Sequence, residues 1–215
     1  MAYKAIFIDV DGVLVDSEKV FNFCWRKAAE KEGYEMTYEQ ALQLRSLDSQ
    51  LAKELFMKWY EDERAYPAIR SARKIIMAEQ ILEEPLKAKE GVQDFLNNVK
   101  NSSIKVAIVT SSPISRINAY LASVGIDVSL FDKIITTEQV KRGKPYPDVY
   151  QHACSFLGLP PHECIAVEDS PNGVRAAHSA GCLTVMIPDL TPYDETLNEF
   201  VDYSCKSISA ILNLL

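Results

Sequence analysis

With 215 residues, 47% of them hydrophobic and 25% charged, the chain is long and apolar enough to bury a sizeable core, which excludes a disordered or fibrous protein. A net charge of −7 offers no basic stripe for nucleic acid, so an anionic ligand must meet a local cluster of cations or a metal inside an acidic shell. The apolar run near the N-terminus is too short for a membrane span and is broken at once by acids, which argues against a signal peptide and a membrane partner.

Residues 3–9 form a near-continuous apolar run rich in Ile and Phe, the pattern of a strand buried on both faces, and it stops abruptly at acids and Gly12. No strand signal follows until after residue 88. Helical patterns at residues 20–32, 38–47, 50–60 and 69–82 fill the interval instead. Residues 17–88 therefore read as an α-helical bundle inserted after the first strand, where it would cover the carboxyl edge of a sheet as a cap. Further apolar runs at residues 104–109, 133–136, 164–167 and 183–187 alternate with helical patterns at 91–100, 114–124, 148–157 and 171–180. This alternation predicts an α/β fold, a doubly wound parallel sheet with a Rossmann-like core and right-handed crossovers. Residues 1–16 and 89–215 make up that core.

Two helix starts are written in the local chemistry. Ser112-Pro113 and Ser170-Pro171 each place a capping hydroxyl before a proline at the first helical position, and Gly125 and Gly181 close the same helices. Both helix N-termini are expected at the carboxyl edge of the sheet, where ligands of such folds bind. The cysteines (Cys24, Cys154, Cys164, Cys182, Cys205) are widely spaced, never in a Cys-x-x-Cys pair, and read as small buried residues in a reducing, cytoplasmic setting.

Four acids stand out by position. Asp9 and Asp11 follow the first strand, and Glu168 and Asp169 follow the fourth, so neighbouring strands would gather them at one edge. Such a cluster calls for a hard cation, and Mg²⁺ suits it: oxygen ligands, few of them from protein, with room for waters and a phosphate oxygen. Thr110 ends the second strand, and Ser111 and Ser112 lead into a helix whose N-terminal amides form an anion site suited to phosphate. Lys144 lies in Lys144-Pro145-Tyr146-Pro147-Asp148, where two prolines limit where the ammonium can point. A fixed ammonium there offsets the charge of a transferred phosphoryl group.

In this order and spacing Asp9-Val10-Asp11-Gly12-Val13, Thr110, Lys144 and Glu168-Asp169 resemble the haloacid dehalogenase-like hydrolase superfamily, over nearly the whole chain. Within it, the runs from Asp11 to Ser17, from Lys144 to Asp148 and from Val167 to Val174 look like the branch of β-phosphoglucomutases and sugar- or glycolate-phosphate phosphatases. The resemblance implies that Asp9 attacks phosphorus to give an aspartyl-phosphate and that Asp11 serves as general acid and then base. It further implies that Thr110 and Lys144 hold the phosphoryl oxygens. Mg²⁺ would be held by the carboxylates of Asp9 and Asp169, the main-chain carbonyl of Asp11 and, directly or through water, Glu168. Dehalogenases of the superfamily lack the second acid of the first motif, so Asp11 argues against carbon–halogen chemistry.

The branch splits on what lies in the cap. β-Phosphoglucomutases carry a histidine about ten residues past the second aspartate, where this chain has Phe21, and a Gly…Ser-Arg stretch, where it has Leu44-Arg45-Ser46-Leu47-Asp48-Ser49. Both departures favour a Mg²⁺-dependent phosphomonoester hydrolase acting on a small phosphorylated metabolite, with a phosphosugar mutase as the alternative. Arg45, Arg70 and Arg73, with Lys74, are the cap cations placed to meet a substrate anion, and Arg70, Arg73 and Lys74 lie within about one helical turn. A monomer is expected. A receiver-type signalling domain is a poorer match, because it has no second acidic pair near the C-terminus. A nucleotide-cofactor enzyme would need a glycine-rich turn that is missing here, and a catalytically dead binding module would not keep the whole acid and lysine set.

Overall fold

The computed structural model describes residues 3–100 and 102–215; Met1 and Ala2, which open the expected core segment, and Asn101 lie outside the described residues. The strands are β1 (Ala5–Ile8), β2 (Lys105–Thr110), β3 (Lys133–Thr136), β4 (Cys164–Glu168), β5 (Leu183–Met186) and β6 (Tyr203–Ser204). The helices are α1 (Glu18–Lys31), α2 (Tyr38–Gln43), α3 (Ser49–Tyr60), α4 (Ala65–Glu83), α5 (Val92–Lys100), α6 (Ile114–Ser123), α7 (Asp148–Leu157) and α8 (Pro171–Ala180). One sheet in the order β3-β2-β1-β4-β5-β6 contains all six strands, every pair parallel. The anticipated doubly wound α/β fold is what the chain adopts.

The period-two alternation of β1 explains the two faces. Ile6 and Ile8 point into one core with Phe95 and Leu96 of α5 and Ile117 and Leu121 of α6, while Ala5 and Phe7 point into the other with Tyr150 of α7 and Ala177 of α8. Small alanines on the second face let α7 and α8 approach the sheet closely, and Phe7 and Tyr150 fill the remaining space with ring centroids 6.2 Å apart. All four β1 side chains are fully buried, worth about 1.5–3 kcal/mol for each large one.

Helices α1–α4 lie between β1 and α5 and have an apolar cluster of their own around Phe56, Ile69 and Ala28. Trp25, Trp59, Tyr60 and Tyr66 surround Phe56 and belong to that packing. The segment is docked against the sheet edge by Asp48. Its Oδ1 caps α3 by accepting from the Gln50 amide at 2.8 Å, its Oδ2 accepts from the Gly143 amide at 2.7 Å, and its own amide donates to the Lys144 carbonyl at 2.7 Å. Asp48→Ala deletes a helix cap and orphans a partly buried amide, so urea unfolding should show a loss of about 1–2 kcal/mol. An unchanged midpoint would mean that this contact contributes nothing to the fold.

Two local expectations need correction, and one strand was missed. Ser112 does not cap α6: the residue before the helix is Pro113, and the Ser112 hydroxyl donates to Asp11 instead. Ser170 does cap α8, accepting from the Gly173 amide at 3.1 Å. The pattern read as one helix over residues 38–47 stops at Gln43, and Ser46 takes a positive φ of 53°. The β6 edge strand, two residues long and exposed, carries no apolar run and left no signal.

Candidate active site

The topology gathers the acids. β1 is flanked by β2 on one side and β4 on the other, so the strand order reverses beside it, and ligands of open α/β sheets bind at that crevice. The register Ile8↔Val167 and Ile8↔Ile108 brings the residues just past β1 level with the ends of β4 and β2. Asp9, Glu168 and Asp169 each offer a carboxylate oxygen within 4.8 Å of the others, and all three are buried. Two glycines make the crowding possible. A Cβ on Gly12, which has a φ of 80°, would collide with the Asp169 carboxylate, and one on Gly173 would collide with that of Glu168.

Lys144 enters from the loop before α7 and is completely buried. Its ammonium donates to Asp9 Oδ1 at 3.0 Å, to the Val109 carbonyl at 3.1 Å and to Glu168 Oε1 at 2.5 Å, using all three protons. Burial alone would lower its pKa, but Asp9 and Glu168 carry it above the ordinary lysine value, so it stays charged. Tyr150 donates a short hydrogen bond to the same Glu168 oxygen. Burial lifts Glu168 to a pKa of about 8 against the pull of Lys144, and lifts Asp169 to about 7 against the pull of Arg45. Asp9 is raised by burial too, with Lys144 opposing.

Asp11 is held differently. Its Oδ1 accepts from the Ser17 hydroxyl at 2.6 Å and its Oδ2 from the Ser112 hydroxyl at 2.7 Å, so the carboxylate stands beside the acidic cluster, fixed by two serines. Arg116 Nη1 in turn donates to Ser112 Oγ at 3.2 Å. Thr110 ends β2, and its hydroxyl accepts from the Ser112 amide at 3.1 Å. Ser111 is half-buried beside it and donates to the Ser46 carbonyl at 3.2 Å.

The cations of the helical segment separate into two groups. Arg45 is buried and points at the acids: Nη2 pairs with Asp169, Nη1 donates to Thr191 Oγ1 at 2.7 Å, and Nε lies 3.3 Å from Glu18 Oε2. Arg70 and Arg73 lie further along the same cavity, about 710 Å³ in volume, which also reaches Asp11, Thr110 and Ser111. Glu18, Tyr150 and Arg116 escaped the sequence reading, and Ser17 entered it only as the end of the run from Asp11, with no role of its own. Ser17 and Glu18 directly follow the first motif, which is the one signal that would have pointed to them; Tyr150 and Arg116 sit at helical positions that look like core or solvent.

A divalent cation fits the residues present. Glu168 Oε2 and Asp169 Oδ1 are buried with no hydrogen-bond partner, and the donor set is oxygen only, which is what Mg²⁺ takes. Four buried carboxylates (Asp9, Glu18, Glu168, Asp169) are in contact with two buried cations, Lys144 and Arg45, and a fifth, Asp11, is held only by serine hydroxyls, a surplus of negative charge that an additional cation would offset.

Comparison with known proteins agrees with this geometry. The model of the haloacid dehalogenase-like hydrolases matches residues 3–181. Hexitol phosphatase A of Escherichia coli is 31% identical over 228 residues, covering 98% of this chain and 94% of that protein. A phosphorylated carbohydrates phosphatase of Thermotoga maritima is 30% identical over 180 residues, covering 83% and 82%. Among solved structures, CbbY of Rhodobacter sphaeroides in complex with phosphate superposes with a TM-score of 0.80 at 24% identity, over 97% of this chain and 96% of that one. Among the described residues no helix is long and apolar enough to cross a membrane. The chain belongs to the haloacid dehalogenase-like hydrolases.

Proposed function

We propose that the protein is a Mg²⁺-dependent phosphatase that hydrolyses a small phosphorylated metabolite through an aspartyl-phosphate on Asp9, with residues 17–88 as its cap and residues 1–16 and 89–215 as its catalytic core. The observation that carries this reading is the pairing of Asp9 with Lys144 at 3.0 Å beside two further buried carboxylates that have unpartnered oxygens. Relatives named as phosphatases of hexitols and of phosphorylated carbohydrates support the substrate class.

Bound Mg²⁺ would be held by Asp9, Glu168, Asp169 and the main-chain carbonyl of Asp11, and supplies positive charge to the phosphoryl oxygens. The residues do the rest. Lys144 holds Oδ1 of Asp9, leaving the other oxygen to attack phosphorus in line. An Asp9 O–P bond forms as the bond to the leaving alkoxide breaks, and Asp11, protonated, delivers its proton to that oxygen. Asp11 is then a carboxylate, accepts the proton of an entering water, and the water oxygen displaces Asp9 from phosphorus. Thr110 and Ser111 hold the phosphoryl oxygens through both displacements, and the Lys144 charge beside Asp9 offsets the negative charge on them. The net reaction consumes one water and returns Asp9 and Asp11 to their starting states.

Phe21, where mutases have a histidine, has the guanidinium groups of Arg73 and Arg116 against its ring and carries no proton to withhold or transfer. Water is therefore expected to reach the phosphoenzyme readily. The test incubates the purified protein with β-glucose 1-phosphate and a trace of its bisphosphate and follows products by ³¹P NMR. Inorganic phosphate should be the main product here and on a panel of sugar phosphates. Glucose 6-phosphate accumulating much faster than phosphate would make the protein a mutase.

A further inference from the structure

Arg73, on α4, is only 5% exposed, and its Nε has no hydrogen-bond partner. No carboxylate forms an ion pair with it among the described residues, in contrast to Arg45, which has Asp169 and Glu18. Its guanidinium lies instead 4.7 Å from the ring centre of Trp25 and 5.1 Å from that of Phe21. Arg116, from the core side of the cavity, lies 5.2 Å from the same Phe21 ring. Two guanidinium groups thus share one aromatic ring, and Arg70 and Lys74 line the same cavity.

This arrangement is costly as it stands. Leaving a charge buried without a partner is costly, and cation–π contacts offset only part of that cost. Burial, followed by the repulsion of Arg116, pushes Arg73 down to about 10, which still leaves it charged at neutral pH. A purely structural arginine would be expected to have an acid beside it. Here the neighbours are other cations and the open cavity.

The cluster is also wired to the catalytic end. Arg116 donates to the Ser112 hydroxyl at 3.2 Å, and Ser112 donates to Asp11 Oδ2 at 2.7 Å. A molecule whose leaving oxygen faces Asp11 would therefore extend its far end toward Arg116 and Arg73.

We propose that Arg73 and Arg116, stacked on Phe21, form a second anion subsite, so that the preferred substrate carries a second anionic group, phosphate or carboxylate, remote from the phosphoryl group that is removed. The proposal rests on the phosphatase reading and names its substrate class. The planar forks of the two arginines suit either group bidentately.

Binding and turnover are measured separately. In calorimetric titrations, the wild-type protein without added metal should bind glucose 1,6-bisphosphate or 2-phosphoglycolate about thirtyfold or more tighter than phenyl phosphate, and Arg73→Met should erase most of that margin. In turnover, the ratio of kcat/KM for the doubly anionic substrate to that for p-nitrophenyl phosphate should fall about as far. Methionine keeps the apolar packing on Trp25 and Phe21. Should Arg73→Met fail to fold, Arg116→Met, at the same ring, should reduce the same ratio. Loss confined to the bisphosphate assigns the second anion as phosphate; loss confined to phosphoglycolate assigns it as carboxylate. Equal affinity of wild type and variants for both ligands overturns the subsite. Should the wild-type protein release phosphate from no probe, the phosphatase reading falls, while the titrations still decide the subsite.

Discussion

Asp9→Asn should lower turnover of any phosphate ester by about a thousandfold or more while leaving the protein at least as stable as the parent. The amide is nearly isosteric with the carboxylate and keeps an oxygen for the Lys144 ammonium, but it is too weak a nucleophile to attack phosphorus. Stability should hold or rise for an electrostatic reason. Asp9 is one of the charges that raise Glu168 and Asp169, so removing it relieves like-charge repulsion in a buried cluster. Increased stability at the expense of activity is the usual signature of a strained catalytic group. Steady-state release of p-nitrophenol and a thermal melt measure both. A variant retaining even a tenth of parental turnover would remove Asp9 from the role, and one that melts well below the parent would show that its charge holds the fold together. Trapping with fluoroberyllate should place the phosphate mimic on Asp9 in the parent and nowhere in the variant.

Most of the site was legible because its residues are bound to strand ends, and strand ends are readable. β1 and β4 are apolar runs cut short by acids, so parallel pairing in register carries Asp9 to Glu168 and Asp169 with no further information. Lys144 was legible for a different reason: its flanking prolines mark a constrained loop. Its depth was not. Complete burial of an ammonium follows from three acceptors supplied by β1, β2 and β4 together, which no local pattern encodes. Ser112 was misread because one hydroxyl could either accept from an amide at the start of α6 or donate to a carboxylate: the start of α6 is local and visible, whereas Asp11 lies 101 residues away in sequence. The helical segment shows the same limit. Its helices follow their apolar periodicity, but that Arg45 turns toward Asp169 while Arg73 turns toward Trp25 and Phe21 is decided by packing between segments distant in sequence.

Removing divalent metal should abolish turnover, and the accompanying change in stability should depend on pH in a defined direction. EDTA is expected to cut activity by about a thousandfold, with Mg²⁺ restoring it and Ca²⁺ inhibiting, since the larger Ca²⁺ shell takes more ligands at looser geometry. Full activity in excess EDTA would refute metal dependence. Stability gives an independent readout. In the absence of metal, Asp169 titrates near 7 and Glu168 near 8, well above the ordinary values of 3.8 and 4.5. Between those limits the folded chain binds more protons than the unfolded one, so the metal-free protein loses stability as pH rises from about 4 to about 8. Mg²⁺ needs the ionised carboxylates and competes with those protons, so its stabilising effect should be small near pH 5 and grow toward pH 8. Melting curves at fixed ionic strength, with EDTA or with saturating Mg²⁺, should therefore diverge as pH increases. Asp169→Asn removes one of the titrating groups and an oxygen donor, and should both flatten the metal-free slope and weaken the Mg²⁺ shift. Parallel melting curves across this range would mean that the cluster of Asp9, Glu168 and Asp169 is not where the metal binds.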